Sequence, residues 1–368
     1  MDVMRAAVDR EEAGAHVIHM EVGQPGAAVP SPVLEAARAA LADGRLGYTE
    51  ALGIRRLRAR IARYYGELHG LDVSPERIAV TTGSSAGFNL AFLAAFDAGD
   101  RVAVASPSYP AYRNILAALG LEVVDIETVP AARHVITPEM LAAAHARTPL
   151  KGLLVASPTN PSGTVMRPDA LAALIEAAHE LGIRFISDEI YHRLVYDGVA
   201  ETALKTSPDA IVINSFSKYY CMTGWRIGWM VLPDDLVRPV ERLAQNFYIS
   251  APDISQRAAI AAFESTAEFE VIKAGYAANR RLLLDRLPRI GFDDHLPVDG
   301  AFYVYASVRR FSNDSVDFTR KMLAEAGVAA TPGPDFDRVH GHACMRFSFA
   351  GTEADMAEGM DRLERWLG

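Results

Sequence analysis

The stretch Ala210-Ile211-Val212-Ile213-Asn214-Ser215-Phe216-Ser217-Lys218, continuing to Thr223-Gly224-Trp225-Arg226-Ile227-Gly228, decides how this chain reads. A strand-like apolar run, Ala210 to Ile213, stops at two serines, a lysine and a glycine-flanked arginine. A lysine amine becomes a useful nucleophile when desolvated or set near another cation, because either effect favours its neutral form. Arg226 is either that cation or the holder of an anion beside Lys218. Taken alone, the pattern also suits a lysine capping a loop, so the neighbouring segments have to decide.

They repeat the arrangement. Ile78 to Thr81 ends at Gly83-Ser84-Ser85, before an apolar helix from Ala86 to Phe96. Val102 to Ala105 ends in the Pro-flanked loop holding Tyr109, and Leu121 to Ile126 is a further strand. Gly152 to Ala156 ends at Ser157-Pro158-Thr159-Asn160-Pro161. A helix from Asp169 to Leu181 leads to Ile183 to Ser187, which ends at Asp188-Glu189-Ile190-Tyr191. Short apolar runs separated by helices predict an α/β fold with a mainly parallel sheet covered on both faces. Ligands bind such sheets in the crevice at the carboxyl ends of the strands. Every unusual polar cluster here sits just after a strand, and chance placement would scatter some to the other edge.

The flanking segments read differently. Asp2 to Gly14 predicts a short surface helix, Val17 to Val22 a short strand, and Ser31 to Asp43 a helix with Ser31 at its cap and Pro32 in its first turn. Ile54 to Tyr65 is an amphipathic helix. After Pro233 the reading becomes α+β: helices over Asp235 to Gln245 and, as one long stretch, Ser255 to Leu287; a strand over Val298 to Ser307; a helix over Val316 to Ala326; a strand over Ala343 to Phe349; and a closing helix over Thr352 to Leu367. A second, smaller domain follows from this shift.

Composition narrows the function classes. The 368 residues are 50% hydrophobic with a formal charge of −9, which argues against a nucleic-acid partner, since phosphate backbones need a basic face. Cys221 and Cys344 have no metal-like spacing, so neither a metal site nor a disulfide is expected. No apolar run has the length of a membrane span or signal core, and a cytoplasmic protein is the default expectation.

The clusters carry complementary chemistry. Gly83-Ser84-Ser85, opening a helix, offers unpaired N–H groups to a phosphate, although it is neither a P-loop nor GxGxxG. Ser215 offers a hydroxyl and Arg226 a fixed charge to the same group. Asp188, at the end of a buried strand, either caps the next segment or keeps a heteroaromatic nitrogen protonated. Tyr191 and Asn160 can donate to an oxygen beside that ring, and Tyr109 can stack on it. Together these residues describe pyridoxal 5′-phosphate.

On these residues the sequence resembles the fold-type I, class I/II aminotransferases along nearly its whole length. The marks are Ser157-Pro158-x-Asn160-Pro161-x-Gly163, Asp188-Glu189-x-Tyr191, Ser215-x-Ser217-Lys218 with Gly224-x-Arg226-x-Gly228, and Met345-Arg346-x-Ser348-Phe349. The resemblance implies a Schiff base on Lys218 and a pyridine nitrogen held by Asp188. It implies a phenolic oxygen bonded by Asn160 and Tyr191, a ring stacked on Tyr109, and a phosphate cradled by Gly83, Ser84, Ser85, Ser215 and Arg226. Arg346 would grip the substrate α-carboxylate, with Gly23 leaving room for it. Tyr48 would reach the phosphate from a neighbouring subunit, so a homodimer with shared sites is implied. The expected division is a large cofactor-binding domain over residues 44–270 and a small domain from residues 1–43 and 271–368. The implied reaction moves an amino group from an L-amino acid to a 2-oxo acid. Lyases, decarboxylases and synthases of the same fold share these core residues. Regulators with an aminotransferase-like domain carry a DNA-binding domain ahead of it, and Gly23 lies close to the start of this sequence. Phe247, Tyr248 and Phe302 are candidates for an apolar side-chain pocket, or ordinary core.

Overall fold

The structure, a computed structural model, describes residues 2–368. Its centre is a seven-stranded sheet of β2 (Ile78–Thr81), β3 (Arg101–Ser106), β4 (Glu122–Glu127), β5 (Gly152–Ala156), β6 (Arg184–Asp188), β7 (Ile211–Ser215) and β8 (Gly228–Val231), in the order β2-β8-β7-β6-β5-β3-β4. Strands β7, β6, β5, β3 and β4 pair in parallel, as predicted. The exception is β8, which has no counterpart in the sequence reading and runs antiparallel between β2 and β7. It therefore starts at the edge where β2 and β7 end, which brings Arg226, just before it, to that edge.

Burial alternates along each central strand. Leu153, Val155 and Val212 face one core layer, while Leu154, Ile211 and Ile213 face the other. One layer is covered by α4 (Gly83–Ala95), α5 (Pro110–Ala118) and α8 (Asp234–Phe247), through Phe88, Phe92, Tyr112, Leu116, Leu236 and Val240. The other is covered by α6 (Pro138–Arg147) and α7 (Pro168–Glu180), through Leu141, Leu171 and Leu174. Neither face of these strands meets water, which is why they read as unbroken apolar runs.

The rest of the chain builds a second wall above the strand ends. An antiparallel sheet orders β11 (Thr331–Pro332), β12 (Cys344–Ser348) and β9 (Tyr303–Ser307), and β1 (Ile18–His19) pairs in parallel with β10 (Val328–Ala329). Around them lie α1 (Asp2–Glu12), α10 (Thr266–Arg286), α11 (Ser315–Ala326) and α12 (Glu353–Leu367). Helices α2 (Ser31–Asp43), α3 (Arg55–His69) and α9 (Asp253–Ala262) pack together, α9 meeting both of the others.

Three expectations shift. The long helical stretch is two helices: α9 stops before Phe263, and Ser265 turns its hydroxyl back to the Ala261 carbonyl at 3.1 Å. The strand expected from Val298 begins only at Tyr303, because Gly300 turns to donate its N–H to the Gly163 carbonyl at 2.8 Å. Ser31 is the first helical residue of α2 rather than its cap, and Pro30 precedes it with no side-chain cap.

Candidate active site

The strand-end clusters meet. Gly23, Ser84, Ser85, Tyr109, Asn160, Tyr191, Lys218, Arg226 and Arg346 line one cavity of about 770 Å³ between the main sheet edge and the small sheet. Gly83 and Asp188 lie directly behind the lining. A Cβ on Gly83 would strike the Arg226 guanidinium, and Asp188 is bonded by the cavity residues Tyr112 and Ile190.

Three cations of the cavity, Lys218, Arg226 and Arg346, stand apart from carboxylates although the chain is acidic overall. Lys218 Nζ donates to the Gly23 carbonyl at 2.6 Å, and no carboxylate of the described residues lies within 4.0 Å of it. Burial, then the Arg346 charge, and lastly Arg226 lower the Lys218 pKa to about 8, with Asp188 opposing them. Arg226 sits in the left-handed region at φ 50° and donates Nη1 to the Thr223 carbonyl at 2.9 Å, again without an acidic partner among the described residues. Its guanidinium lies over the start of α4, whose first N–H groups have no intrahelical acceptor.

Arg346 is the third unpaired cation. It is only 5% exposed. Nη1 donates to Asn160 Oδ1 at 2.9 Å, Nη2 to the Glu21 carbonyl at 2.6 Å and to Thr331 Oγ1 at 3.4 Å, while Nε has no partner. The rings of Tyr303 and Phe336 lie 4.3 and 4.8 Å from its Cζ. A buried guanidinium held by neutral acceptors and aromatic faces, with one N–H unused, is arranged to receive an anion.

Asp188 is the complementary group. It is fully buried, takes hydrogen bonds from the Tyr112 hydroxyl and from Ile190 N (3.1 Å), and has no cation within 4.0 Å among the described residues. Burial raises its pKa to about 6 against those hydrogen bonds. A ligand N–H brought to it would restore a stable carboxylate. Tyr191 shares a 2.8 Å hydrogen bond with the Tyr303 hydroxyl. A Cβ on Gly23 would occupy the place of that same Tyr303 hydroxyl, so the glycine here is a matter of close approach.

Two sequence candidates stand elsewhere in the single chain. Ser215 is buried behind the lining and donates to Ser217 Oγ at 2.9 Å, and it is Ser217 that faces the cavity. Tyr48 is 83% exposed and outside the cavity. The aromatic trio does not reach the cavity either: Phe247 is exposed, Tyr248 accepts from Asn89 at 3.2 Å, and Phe302 packs edge-on behind Tyr191. Sequence reasoning missed Tyr112, Tyr303, Phe336 and Ser217. Tyr112 is one helical turn from Tyr109 once α5 is recognised, and Ser217 lay within the quoted motif. For Phe336 the sequence carries no local signal.

Comparison with known proteins decides the family. The profile described as "Aminotransferase class I and II" matches residues 15–363. The chain belongs to the class I and II aminotransferases. It is 52% identical to a valine–pyruvate aminotransferase of Mycobacterium tuberculosis, across 100% of this chain and 95% of that one. It is 35% identical to an aspartate/prephenate aminotransferase of Thermus thermophilus, across 98% and 94%. A crystal structure of an aminotransferase from M. tuberculosis superposes with a TM-score of 0.97 at 52% identity, covering 100% of this chain and 95% of that one. This aminotransferase is thus a transaminase dependent on pyridoxal 5′-phosphate, with the fold expected from its sequence. No helix among the described residues is long and apolar enough to cross a membrane.

Proposed function

We propose that this aminotransferase takes amino donors with a neutral aliphatic side chain and passes the amino group to a small 2-oxo acid of the pyruvate type. The observation that carries this reading is the charge inventory of the cavity. Lys218, Arg226 and Arg346 are each committed, and the remaining cation on the lining, Arg320, is exposed and lies 3.5 Å from Asp317. A second substrate carboxylate would meet no buried free cation. The same lining carries apolar Val3, Met4 and Leu323. The M. tuberculosis relative's name, valine–pyruvate aminotransferase, points the same way.

The residues divide the work by charge. Arg346 binds the substrate α-carboxylate with its unused Nε–H and a guanidinium edge, and Asn160 holds that edge in place. Arg226, the first N–H groups of α4, and Ser84, Ser85 and Ser217 hold the cofactor phosphate. Ser215 orients Ser217, and Tyr109 packs on the cofactor ring. Asp188 keeps the ring nitrogen protonated, and Tyr191 donates to the ring oxygen. Pyridoxal 5′-phosphate supplies, when bound, an electron-accepting ring that stabilises negative charge at the substrate Cα. Lys218 Nζ is the amine that carries the cofactor and, once released from it, the base that removes the Cα proton and the acid that returns it. Its lowered pKa makes the neutral form accessible near neutrality.

A homodimer in the cytoplasm completes the reading. Thr49 N–H donates to Ser250 Oγ at 3.2 Å, which ties the segment of exposed Tyr48 to the segment of exposed Phe247 and Ile249. Buried against a second copy, this face would deliver Tyr48 of the partner subunit to the phosphate; sedimentation at micromolar concentration should show a dimer. The division into residues 44–270 and residues 1–43 with 271–368 is part of the same proposal.

Half-reaction absorbance with a donor panel tests the substrate reading. Valine, leucine and alanine should exceed aspartate and glutamate by about tenfold or more in kcat/KM, the usual worth of a matched charge or hydrogen bond. A preference for aspartate would overturn it. In Lys218→Ala the cofactor's imine absorbance and nearly all transamination should vanish.

A further inference from the structure

Arg113 is a buried cation to which the reading above gives no role. It lies on α5, beside the main sheet, and is 2% exposed. Nη2 donates to the Phe336 carbonyl at 2.7 Å and to the Asp335 carbonyl at 3.2 Å. Nη1 reaches Asp125 Oδ1 at 3.4 Å and Ser108 Oγ at 3.5 Å. The Phe336 carbonyl takes a second donor from the same body, Ser108 N–H at 3.1 Å. All these donors belong to the large sheet and its helix, whereas Asp335 and Phe336 belong to the tight turn that follows β11 in the small sheet.

That turn forms part of the cavity wall. Asp335 and Phe336 line it, and the Phe336 ring lies 4.8 Å from the Arg346 Cζ. The turn itself has little freedom, because a Cβ on Gly333 would press into the carbonyls of Gly341 and Cys344. Its seat therefore depends on what holds it to the large sheet. His340 adds a second tie, 2.6 Å from Glu127 Oε1, but at an exposed place where a single ion pair contributes little. The buried ties are Ser108 N–H and Arg113, and Arg113 is the one made by a side chain and the one that holds both carbonyls.

We infer that Arg113 is a positioning residue for the substrate carboxylate: it pins the 333–336 turn to the main sheet and so seats Phe336 against the Arg346 guanidinium. The inference rests on the reading of Arg346 as the carboxylate holder. Arg113 itself is not on the cavity lining. Removing it leaves the Asp335 carbonyl without this donor and the Phe336 carbonyl with Ser108 N–H alone. The seat of the turn on the large sheet loosens, and the cost falls on substrate binding more than on the proton transfer at Lys218.

The test uses the cofactor-loaded enzyme and two readouts, steady-state kinetics with valine and the Kd of isovalerate, an unreactive branched carboxylate, by calorimetry. In Arg113→Met, the valine KM and the isovalerate Kd should both rise about tenfold, with the saturating rate within about threefold of the parent. Arg113→Lys should restore part of the loss. Unchanged KM and Kd in folded Arg113→Met, or a saturating rate that falls as far as the Kd rises, would overturn the inference. If Arg113→Met does not fold, a cycle of Arg113→Lys and Phe336→Leu decides, because both act through one ring. Their effects on Kd should combine to less than the product, and a full product refutes the latch. Arg346→Lys separates the two readings. If it leaves KM unchanged, the carboxylate assignment fails. If it raises KM while both Arg113 variants leave it flat, only the latch fails.

Discussion

Arg346 is a buried guanidinium surrounded by neutral groups. Its acceptors are two carbonyl-type oxygens and a hydroxyl, and no carboxylate lies within 4.0 Å among the described residues. A buried cation compensated only by dipoles and ring faces is costly, and an apolar side chain of similar size often replaces such a group without loss of stability. Arg346→Leu should therefore separate function from folding. Its kcat/KM for valine should fall about a hundredfold or more, the worth of one or two charge-assisted hydrogen bonds. Its thermal midpoint should stay within a few degrees, because the Glu21 carbonyl keeps the Thr331 hydroxyl at 2.9 Å. The same change removes a charge that lowers the Lys218 pKa, so the acid limb of the half-reaction rate should move to higher pH. A midpoint falling together with kcat/KM would show that Arg346 is structural.

At the scale of elements, the start of α4 shows how little tolerance the phosphate end has. Gly83 stands at φ 74°, and a Cβ there would strike the Arg226 guanidinium. Gly228, opening β8, is equally confined, 2.8 Å from the Asn214 carbonyl and 3.0 Å from Ser84 N for an added Cβ. Gly83→Ala should cost about 1 kcal/mol of stability through backbone strain. It should also weaken cofactor retention, measured by dialysis against free pyridoxal phosphate, by about tenfold as Arg226 is displaced from the anion. Retention equal to the parent would remove Arg226 from the phosphate site. The helix-opening Gly83-Ser84-Ser85 was legible only in company, because alone it also suits a plain strand-to-helix cap. Its place after a strand, like that of the other clusters, is what points to the sheet edge. Lys218, Asp188 and Asn160 were legible for the same reason. Strand β8 was not, since Gly228–Val231 is a short run directly behind the motif, and nothing in such a run records which way its strand points. Nor were Tyr303 and Phe336, which come from the small sheet far along the chain and reach the cavity only through tertiary packing. Ser215 and Ser217 show a finer limit: the motif names both hydroxyls, but only the backbone turn after β7 decides which one faces the ligand.

The whole molecule carries a set of buried ionisable groups whose pH signatures partly cancel. Burial raises Asp188 to about 6 and Glu189 to about 8, while it lowers His69 to about 4 and His192 to about 3. Between pH 4.5 and 6.5 the native carboxyls hold protons that the unfolded chain releases, and the unfolded histidines hold protons that the native chain refuses. These contributions to the pH dependence of stability have opposite sign. Above pH 6.5 the unfolded histidines, half protonated there, lose their remaining protons, and Glu189 is left as the main contributor. There the native state binds more protons than the unfolded one, so stability falls as pH rises and the loss is complete above pH 8. Lys218, lowered to about 8, begins to act with the opposite sign only at that upper end. The cofactor-free protein should therefore lose on the order of 0.5–1 kcal/mol of unfolding free energy between pH 6.5 and 8, read from urea titrations. Glu189→Gln should flatten that slope. Its amide oxygen can still accept from Ser187 Oγ, Thr202 Oγ1 and Ala203 N, now 2.9 to 3.1 Å from Oε1. Its NH₂ would face His192 Nδ1, 3.3 Å from the partnerless Oε2. The variant should thus match the parent at pH 6.5 and exceed it at pH 8. Parallel curves for the two proteins would mean that Glu189 is already ionised in the native state, with His192 charged beside it.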